Sequence, residues 1–253
     1  MSTLTNRVPH ILFLYWVIKI ASTTLGETGA DMFSMTYDIG YGNTIVLFMG
    51  LFVILLSIKL MMKRYDPILY WLTFTATAIA GTAISDFIDR TLGLGYAAGS
   101  ILLVLLLLFL LWVWYIKEKS INVEYITNTP SEIFYWMAFL VANTLGTAAG
   151  DFLADEMGMG FGQSAILISV ILALIAALHF TTDVSKVLLF WLAFVLTRPF
   201  GATFGDLLTK THEKGGLDLG TVGSSLFFTL VLILAVAKEV QQENLLLRRN
   251  GNQ

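Results

Sequence analysis

The chain has 253 residues, of which 57% are hydrophobic and 13% are charged, and its mean hydropathy is +0.77. A soluble domain of this length needs more charge to cover its surface, so the composition predicts an integral membrane protein. Cysteine is absent, which excludes disulfides and thiolate metal sites, and the net charge of −3 provides no basic surface for nucleic acid.

A membrane-spanning helix needs roughly 20 mostly apolar residues, and eight segments meet that requirement. They are residues 11–33, 43–62, 67–89, 96–116, 131–153, 162–181, 186–208 and 221–238. The first is interpreted as a retained span rather than a signal peptide, because no small-residue cleavage site follows it. The predicted fold class is therefore all-α, with eight transmembrane helices, short connections and a polar cytoplasmic tail at 241–253.

Local signals predict where three of these helices begin. Asp66-Pro67 and Thr129-Pro130 each place a capping residue before a proline at the first helical position, and Asp183 is placed to cap the seventh helix.

Lysine and arginine are distributed unequally between the two sides of the predicted bundle. The side of the termini has ten: Arg7, Lys59, Lys63, Arg64, Lys117, Lys119, Lys186, Lys238, Arg248 and Arg249. The opposite side has three: Arg90, Lys210 and Lys214. Positive charge marks the cytoplasmic side, so both termini are predicted to be cytoplasmic, in a bacterial inner (plasma) membrane.

One pattern occurs four times along the chain. An aromatic residue precedes tryptophan at Tyr15-Trp16, Tyr70-Trp71, Tyr135-Trp136 and Phe190-Trp191. Ten residues after each tryptophan is a glycine: Gly26, Gly81, Gly146 and Gly201. Fifteen residues after each tryptophan is an aspartate: Asp31, Asp86, Asp151 and Asp206. Such a pattern predicts four copies of one structural unit.

The tryptophans are 55, 65 and 55 residues apart, which groups the units into two halves offset by 120 residues. We expect a first half at 1–120 and a second at 121–240. Because each unit contains two helices, all four have the same predicted orientation, and the repeat is parallel. The odd-numbered helices are rich in small and polar residues, so we expect them to form a ring around a pseudo-fourfold axis, with the apolar even-numbered helices outside.

The aspartates are predicted to lie inside the membrane near its external face. Residues four positions apart share a helix face, and four before each aspartate come Glu27, Thr82, Thr147 and Ala202. Four further back come Thr23, Ala78, Asn143 and Arg198, and Lys19 extends the first of these faces. Ionised groups in a bilayer face an interior or a water-filled cavity. The excess of acids predicts a cation or proton site.

We assign the predicted metal ligands and the predicted substrate pathway separately. The metal ligands are Glu27, Asp31, Asp86, Asp151 and Asp206. The pathway is Lys19, Thr82, Asn143, Thr147 and Arg198. Alternatively, each aspartate terminates its helix at the outer surface. The outer-loop charges, Arg90 among them, are interpreted as a solvated face.

The repeated Y/F-W and G-x-x-x-x-D pattern resembles an uncharacterised family of bacterial multi-pass membrane proteins. The segments GTAAGD and GATFGD are also similar to the E-x-G-D-K-T motif of manganese and calcium cation/proton exchangers, although the residue after each aspartate here is Met, Phe or Leu. The second resemblance implies a divalent metal.

These features predict a secondary transporter that exports a divalent cation, with Mn²⁺ favoured, by proton antiport through a ring of intramembrane carboxylates. Carboxylate oxygens suit such hard cations. The expected partners are the lipid bilayer, the cation and protons, with a homo-oligomer as an open option. No cofactor and no enzymatic activity are expected. The alternatives are a non-transporting sensor or assembly protein, and a transporter of a small organic ion bound by Arg198.

Overall fold

The computed structural model describes residues 6–123 and 125–251, of which residues 246–251 are described by their backbone only. Within those ranges the chain forms eight α-helices, so the all-α prediction is confirmed. They are α1 (Phe13–Asp31), α2 (Gly40–Met62), α3 (Pro67–Asp86), α4 (Tyr96–Glu118), α5 (Thr129–Asp151), α6 (Gly160–Thr181), α7 (Lys186–Thr209) and α8 (Thr221–Gly251).

The first three units end their first helix in the same way. A π-helical turn follows α1 at Met32–Thr36, α3 at Phe87–Thr91 and α5 at Phe152–Glu156. The fourth unit differs, because α7 is followed by a 3₁₀ turn at His212–Lys214.

Seven of the eight described helices, α2 to α8, are long and apolar enough to cross a membrane. α1 does not reach that level of hydropathy, because Lys19, Glu27 and a run of small polar residues lower it. The chain therefore has the composition and helix lengths of a membrane protein.

Side-chain caps fix the starts of three helices. Asp66 caps α3, accepting a hydrogen bond from the Leu69 amide at 2.9 Å, as predicted. For α5 the prediction is one residue too late, since Asn128 is the cap and Thr129 is already helical. For α7 the prediction of Asp183 is wrong. Ser185 caps that helix, because it lies directly before the first helical residue and can reach the amide three residues on.

α1, α3, α5 and α7 form a closed ring, in which each helix packs against its two neighbours. The repeated glycines allow this close approach. A Cβ added at Gly26 would lie 2.6 Å from the Cβ of Ala78, and one at Gly81 would lie 2.9 Å from the Cβ of Asn143. The other two repeat the arrangement, with Gly146 against Arg198 and Gly201 against Thr23. Each glycine thus contacts the next inner helix at the residue that lies seven positions after the tryptophan of that helix.

The even-numbered helices form an outer layer. α2 packs on α3, α4 on α5, α6 on α7, and α8 closes the circle on α1. Each unit therefore places its second helix against the first helix of the next unit. The apolar windows of α3, α5 and α7 are 56% to 78% buried, against 17% to 28% for the outer helices. The predicted division into inner and outer helices is thus observed, and the polar side chains of the ring converge inside it.

Candidate cation site

The inner helices turn one stripe of side chains toward the centre of the ring, except at its outer end, where Met35 and Asp155 are exposed. The stripe follows every fourth residue, from the aromatic residue before each tryptophan to four residues beyond each aspartate. We call it the axial column. It consists of residues 15, 19, 23, 27, 31 and 35 of the first unit and residues 70–90, 135–155 and 190–210 in the same steps of four.

Aromatic side chains fill the end of the column nearest the chain termini. The hydroxyl oxygens of Tyr70 and Tyr135 lie 2.6 Å apart, and both side chains are buried. Tyr15 and Phe190 complete this level, with ring centroids 6.5 Å apart. Four buried aromatic side chains therefore occupy this end of the column.

The next level combines three phenylalanines with one lysine. The rings of Phe139 and Phe194 have centroids 4.0 Å apart, and Phe74 lies 5.6 Å from Phe139. Lys19 is fully buried and donates to the carbonyl oxygen of Phe194 at 2.9 Å and to Thr197 Oγ1. Its side-chain nitrogen also lies 3.8 Å from the centroid of the Phe194 ring, so a carbonyl, a hydroxyl and a ring face surround the buried amine.

Arg198 connects all four inner helices at the middle of the column. It is fully buried, and its Nη2 lies 3.2 Å from Glu27 Oε2. The same nitrogen donates to Thr147 Oγ1 at 2.8 Å and to Thr82 Oγ1, while Nη1 donates to the carbonyl of Thr23 at 3.2 Å. The guanidinium that was predicted as a possible organic-anion site is therefore already bound to a carboxylate of its own chain.

Three of the five predicted metal ligands meet just beyond this level. Glu27, Asp31 and Asp206 each offer one carboxylate oxygen, and these oxygens all lie within 4.8 Å of one another. All three residues are buried, with 1% to 3% of their surface exposed. We call these residues the acidic triad. A divalent cation with oxygen ligands at about 2.1–2.5 Å has opposite ligands roughly 4.2–5 Å apart, so the triad has the dimensions of a shared cation site.

The other two predicted ligands pair elsewhere. Arg90 bridges Asp86, with Nε 3.2 Å from Oδ1, and Asp151, with Nη2 3.3 Å from Oδ2. In the same way Lys210 bridges Asp31 and Asp206, with its Nζ 2.6 and 3.1 Å from their oxygens. The four aspartates therefore form two pairs, each bridged by one positively charged side chain.

Arg90 and Lys210 are the functional candidates that the sequence reasoning missed. Arg90 was predicted on a solvated face, but its side chain is only 31% exposed and inserts between two carboxylates. Lys210 is 17% exposed. The signal was available, since each cation follows the aspartate of its own unit by four residues and so continues the same helix stripe.

The remaining predicted pathway residues line the column in different ways. Thr82 and Thr147 donate to Glu27 Oε2 at 3.3 and 3.4 Å. Asn143 donates its amide to Thr77 Oγ1 at 3.0 Å, and its side-chain oxygen is buried without a hydrogen-bond partner among the described residues. These groups supply neutral polar atoms between the charged levels.

A second buried charge cluster lies at the end of the ring nearest the termini. Glu132 of α5 accepts from Arg7 at 2.9 Å, and Lys59 of α2 lies 3.1 Å from its other oxygen. Lys59 also donates to the carbonyl of Arg7 at 2.7 Å. Two cations counted among the loop charges are therefore buried, and they connect the N-terminal segment and α2 to α5.

Comparisons with known proteins agree with the repeat. A family model described as Repeat of Unknown Function (DUF347) matches residues 14–65, 69–120, 134–185 and 189–242. These segments coincide with the four two-helix units, so the predicted resemblance to an uncharacterised repeat family is confirmed. No curated protein and no solved structure matches the chain. The similarity to cation/proton exchangers therefore gains no support.

Proposed function

The chain belongs to the family described as Repeat of Unknown Function (DUF347), and we propose that it is a secondary transporter that exports a divalent cation, with Mn²⁺ favoured, in exchange for protons. The acidic triad carries this proposal. It places three carboxylate oxygens within 4.8 Å of one another inside a ring of helices. Ligands of this kind suit Mn²⁺, Mg²⁺ or Ca²⁺ rather than soft metals.

In the proposed membrane arrangement all eight helices span the bilayer. α1 is less apolar than the others, but α3, α7 and α8 surround it, so its charged stripe faces protein rather than lipid. The four units then share one orientation, with both termini in the cytoplasm of a bacterial cell and the aspartates near the external face. The excess of lysine and arginine on the side of the termini supports this orientation.

The charge balance of the triad favours a divalent cation. Glu27, Asp31 and Asp206 contribute three negative charges when ionised, and Arg198 neutralises one of them at 3.2 Å. When Lys210 is displaced from Asp31 and Asp206, two negative charges remain to match one divalent cation. In its absence, Lys210 compensates one of these charges and a proton bound to the same oxygens compensates the other, because unpaired buried carboxylates are costly. Competition between metal and protons for one set of oxygens is the chemistry of an antiporter.

The proposed transport cycle requires that the column open at alternate ends. Tyrosine and phenylalanine levels close the cytoplasmic end, and the two cation bridges close the external end. Both bridges join residues 1–120 to residues 121–240, since Arg90 reaches Asp151 and Lys210 reaches Asp31. Rocking of these halves against each other would break the bridges and expose the triad.

Total cell metals measured by mass spectrometry test this proposal. A deletion strain is compared with strains expressing equal amounts of wild type, of a quadruple variant with Asp31, Asp86, Asp151 and Asp206 changed to Asn, or of a control. The control changes the exposed Asp38 and Asp218 to Asn. We expect Mn²⁺ to accumulate on deletion and to return to normal with wild type and control only. Identical contents of every metal in all strains would contradict cation export and favour a non-transporting sensor or assembly protein.

A further inference from the structure

Lys210 contacts two of the three carboxylates of the acidic triad that a bound cation would need. Its ammonium nitrogen lies 2.6 Å from Asp31 Oδ2 and 3.1 Å from Asp206 Oδ1. Both carboxylates belong to the triad. A metal ion and the lysine ammonium cannot both bind these oxygens at the same time, because the two cations repel each other at such a distance.

The backbone that carries Lys210 is built differently from the equivalent part of the other three units. In those units the inner helix runs on into a π-helical turn, whereas α7 ends at Thr209. The amides of residues 217–219 then fold back and donate to the carbonyls of Leu207, Lys210 and Leu208 at 2.7, 3.0 and 2.9 Å. The extra residues of the fourth unit therefore fix the base of the Lys210 side chain, from which a four-carbon stem reaches the two aspartates.

Arg90, at the equivalent position of the second unit, is held much more firmly. Besides its two aspartates, it donates to the hydroxyl oxygens of Tyr96 at 3.1 Å and Tyr41 at 3.3 Å. Among the described residues, Lys210 has only its two carboxylate partners. The planar guanidinium of Arg90, with four partners, is held in one position. The ammonium group of Lys210 is a compact charge on a flexible side chain, so it can move away from its partners.

Lys210 lies just outside the membrane-spanning part of α7, and it keeps its charge there. Burial opposes that charge, but the ammonium nitrogen lies 2.6 and 3.1 Å from the oxygens of Asp31 and Asp206, which stabilise it. The side chain is 17% exposed, so part of it reaches the surface at this end of the ring.

We propose that Lys210 is an internal counter-cation, which occupies the acidic triad when no metal is bound and must withdraw before a divalent cation can bind. This inference rests on the proposed function and specifies how the same site is regulated. The lysine lowers the affinity for the metal, which assists release on the external side. It also stabilises the metal-free triad.

Mn²⁺ binding to the purified full-length protein, measured by isothermal titration calorimetry at one neutral pH, tests the role. We expect Lys210→Gln and Lys210→Met to bind Mn²⁺ at least about tenfold more tightly than wild type, or roughly 1.4 kcal/mol. Lys210→Arg, which retains a competing charge, should bind Mn²⁺ no more tightly than wild type. Lys214→Gln is the matched control, because Lys214 is an exposed lysine in the same loop. Size-exclusion chromatography establishes that each variant is folded.

The possible outcomes separate this inference from the proposed function. Folded Lys210→Gln and Lys210→Met proteins that bind Mn²⁺ no more tightly than wild type, while Asp206→Asn abolishes binding, would overturn the counter-cation role alone. Absence of Mn²⁺ binding in every protein would overturn the cation site and the role of Lys210 together.

Discussion

Replacing Glu27 with glutamine removes the carboxylate that pairs with Arg198, the only one to do so among the described residues, and leaves a buried guanidinium without its counter-charge. The charged atoms lie 3.2 Å apart, and at an effective dielectric constant of about 20 their Coulomb attraction is about 5 kcal/mol. Thr82, Thr147 and the carbonyl of Thr23 continue to accept hydrogen bonds from the guanidinium. We therefore expect a loss of roughly 3 kcal/mol, at the lower end of the cost of breaking a buried pair.

Thermal unfolding in detergent measures this loss. For a chain of this size, 3 kcal/mol corresponds to a decrease in Tm of about 6–12 °C. The exposed Glu213 provides the control, and Glu213→Gln should leave the Tm unchanged. The double variant Glu27→Gln, Arg198→Met removes both charges and should recover more than half of the loss. A Tm of Glu27→Gln equal to that of the Glu213→Gln control would refute the conclusion that this pair stabilises the ring.

Two further substitutions test the packing of the ring and its second charge cluster. Gly26→Ala would place a Cβ 2.6 Å from that of Ala78 and should destabilise the protein by about 1–3 kcal/mol. Gly50→Ala, with nothing within 4 Å of the new Cβ, should be neutral or stabilising by up to about 1 kcal/mol; equal Tm values for the two would contradict the close approach. Glu132→Gln leaves two buried cations unpaired and should lower the free energy of unfolding by roughly 3 kcal/mol, and an unchanged Tm would show that the cluster does not contribute.

The sequence was sufficient to predict the ring because the repeat supplies its own register. Residues four apart share a helix face whatever the tertiary structure, so the alignment of Glu27 with Thr82 and Thr147 required only the four tryptophans as reference points. The close contacts of the four glycines with neighbouring helices occur in the same register. Each glycine contacts the residue that lies seven positions after the tryptophan of the neighbouring inner helix. This pairing depends on which helices are neighbours, so it is known only from the closed ring.

The sequence reasoning did not extend to contacts that break the fourfold pattern. Arg90 and Lys210 each occur in one unit, and a lysine or arginine beyond the apolar part of a helix usually faces solvent. Their insertion between aspartates depends on which neighbouring helix presents a carboxylate, and this is a property of the tertiary structure. The pairing of Arg7 and Lys59 with Glu132 was missed for the same reason, since these residues are 125 and 73 positions away from it in the chain.

The sequence also does not fully determine which residue caps each helix. Asp66 was predicted correctly as a cap because aspartate directly precedes proline. Before α5, Asn128 and Thr129 are both suitable capping residues. The backbone path of the preceding loop determines which of them is used.

Uptake of Mn²⁺ into proteoliposomes containing the purified protein tests the central claim most directly. With an outward proton gradient, we predict that wild type and Asp218→Asn, a change at an exposed aspartate, transport Mn²⁺ at equal rates. Asp206→Asn, which removes a carboxylate from the acidic triad, should reduce the rate to that of empty liposomes. Equal transport by Asp206→Asn and wild type, or no transport by either wild type or Asp218→Asn, would contradict a cation pathway through the axial carboxylates.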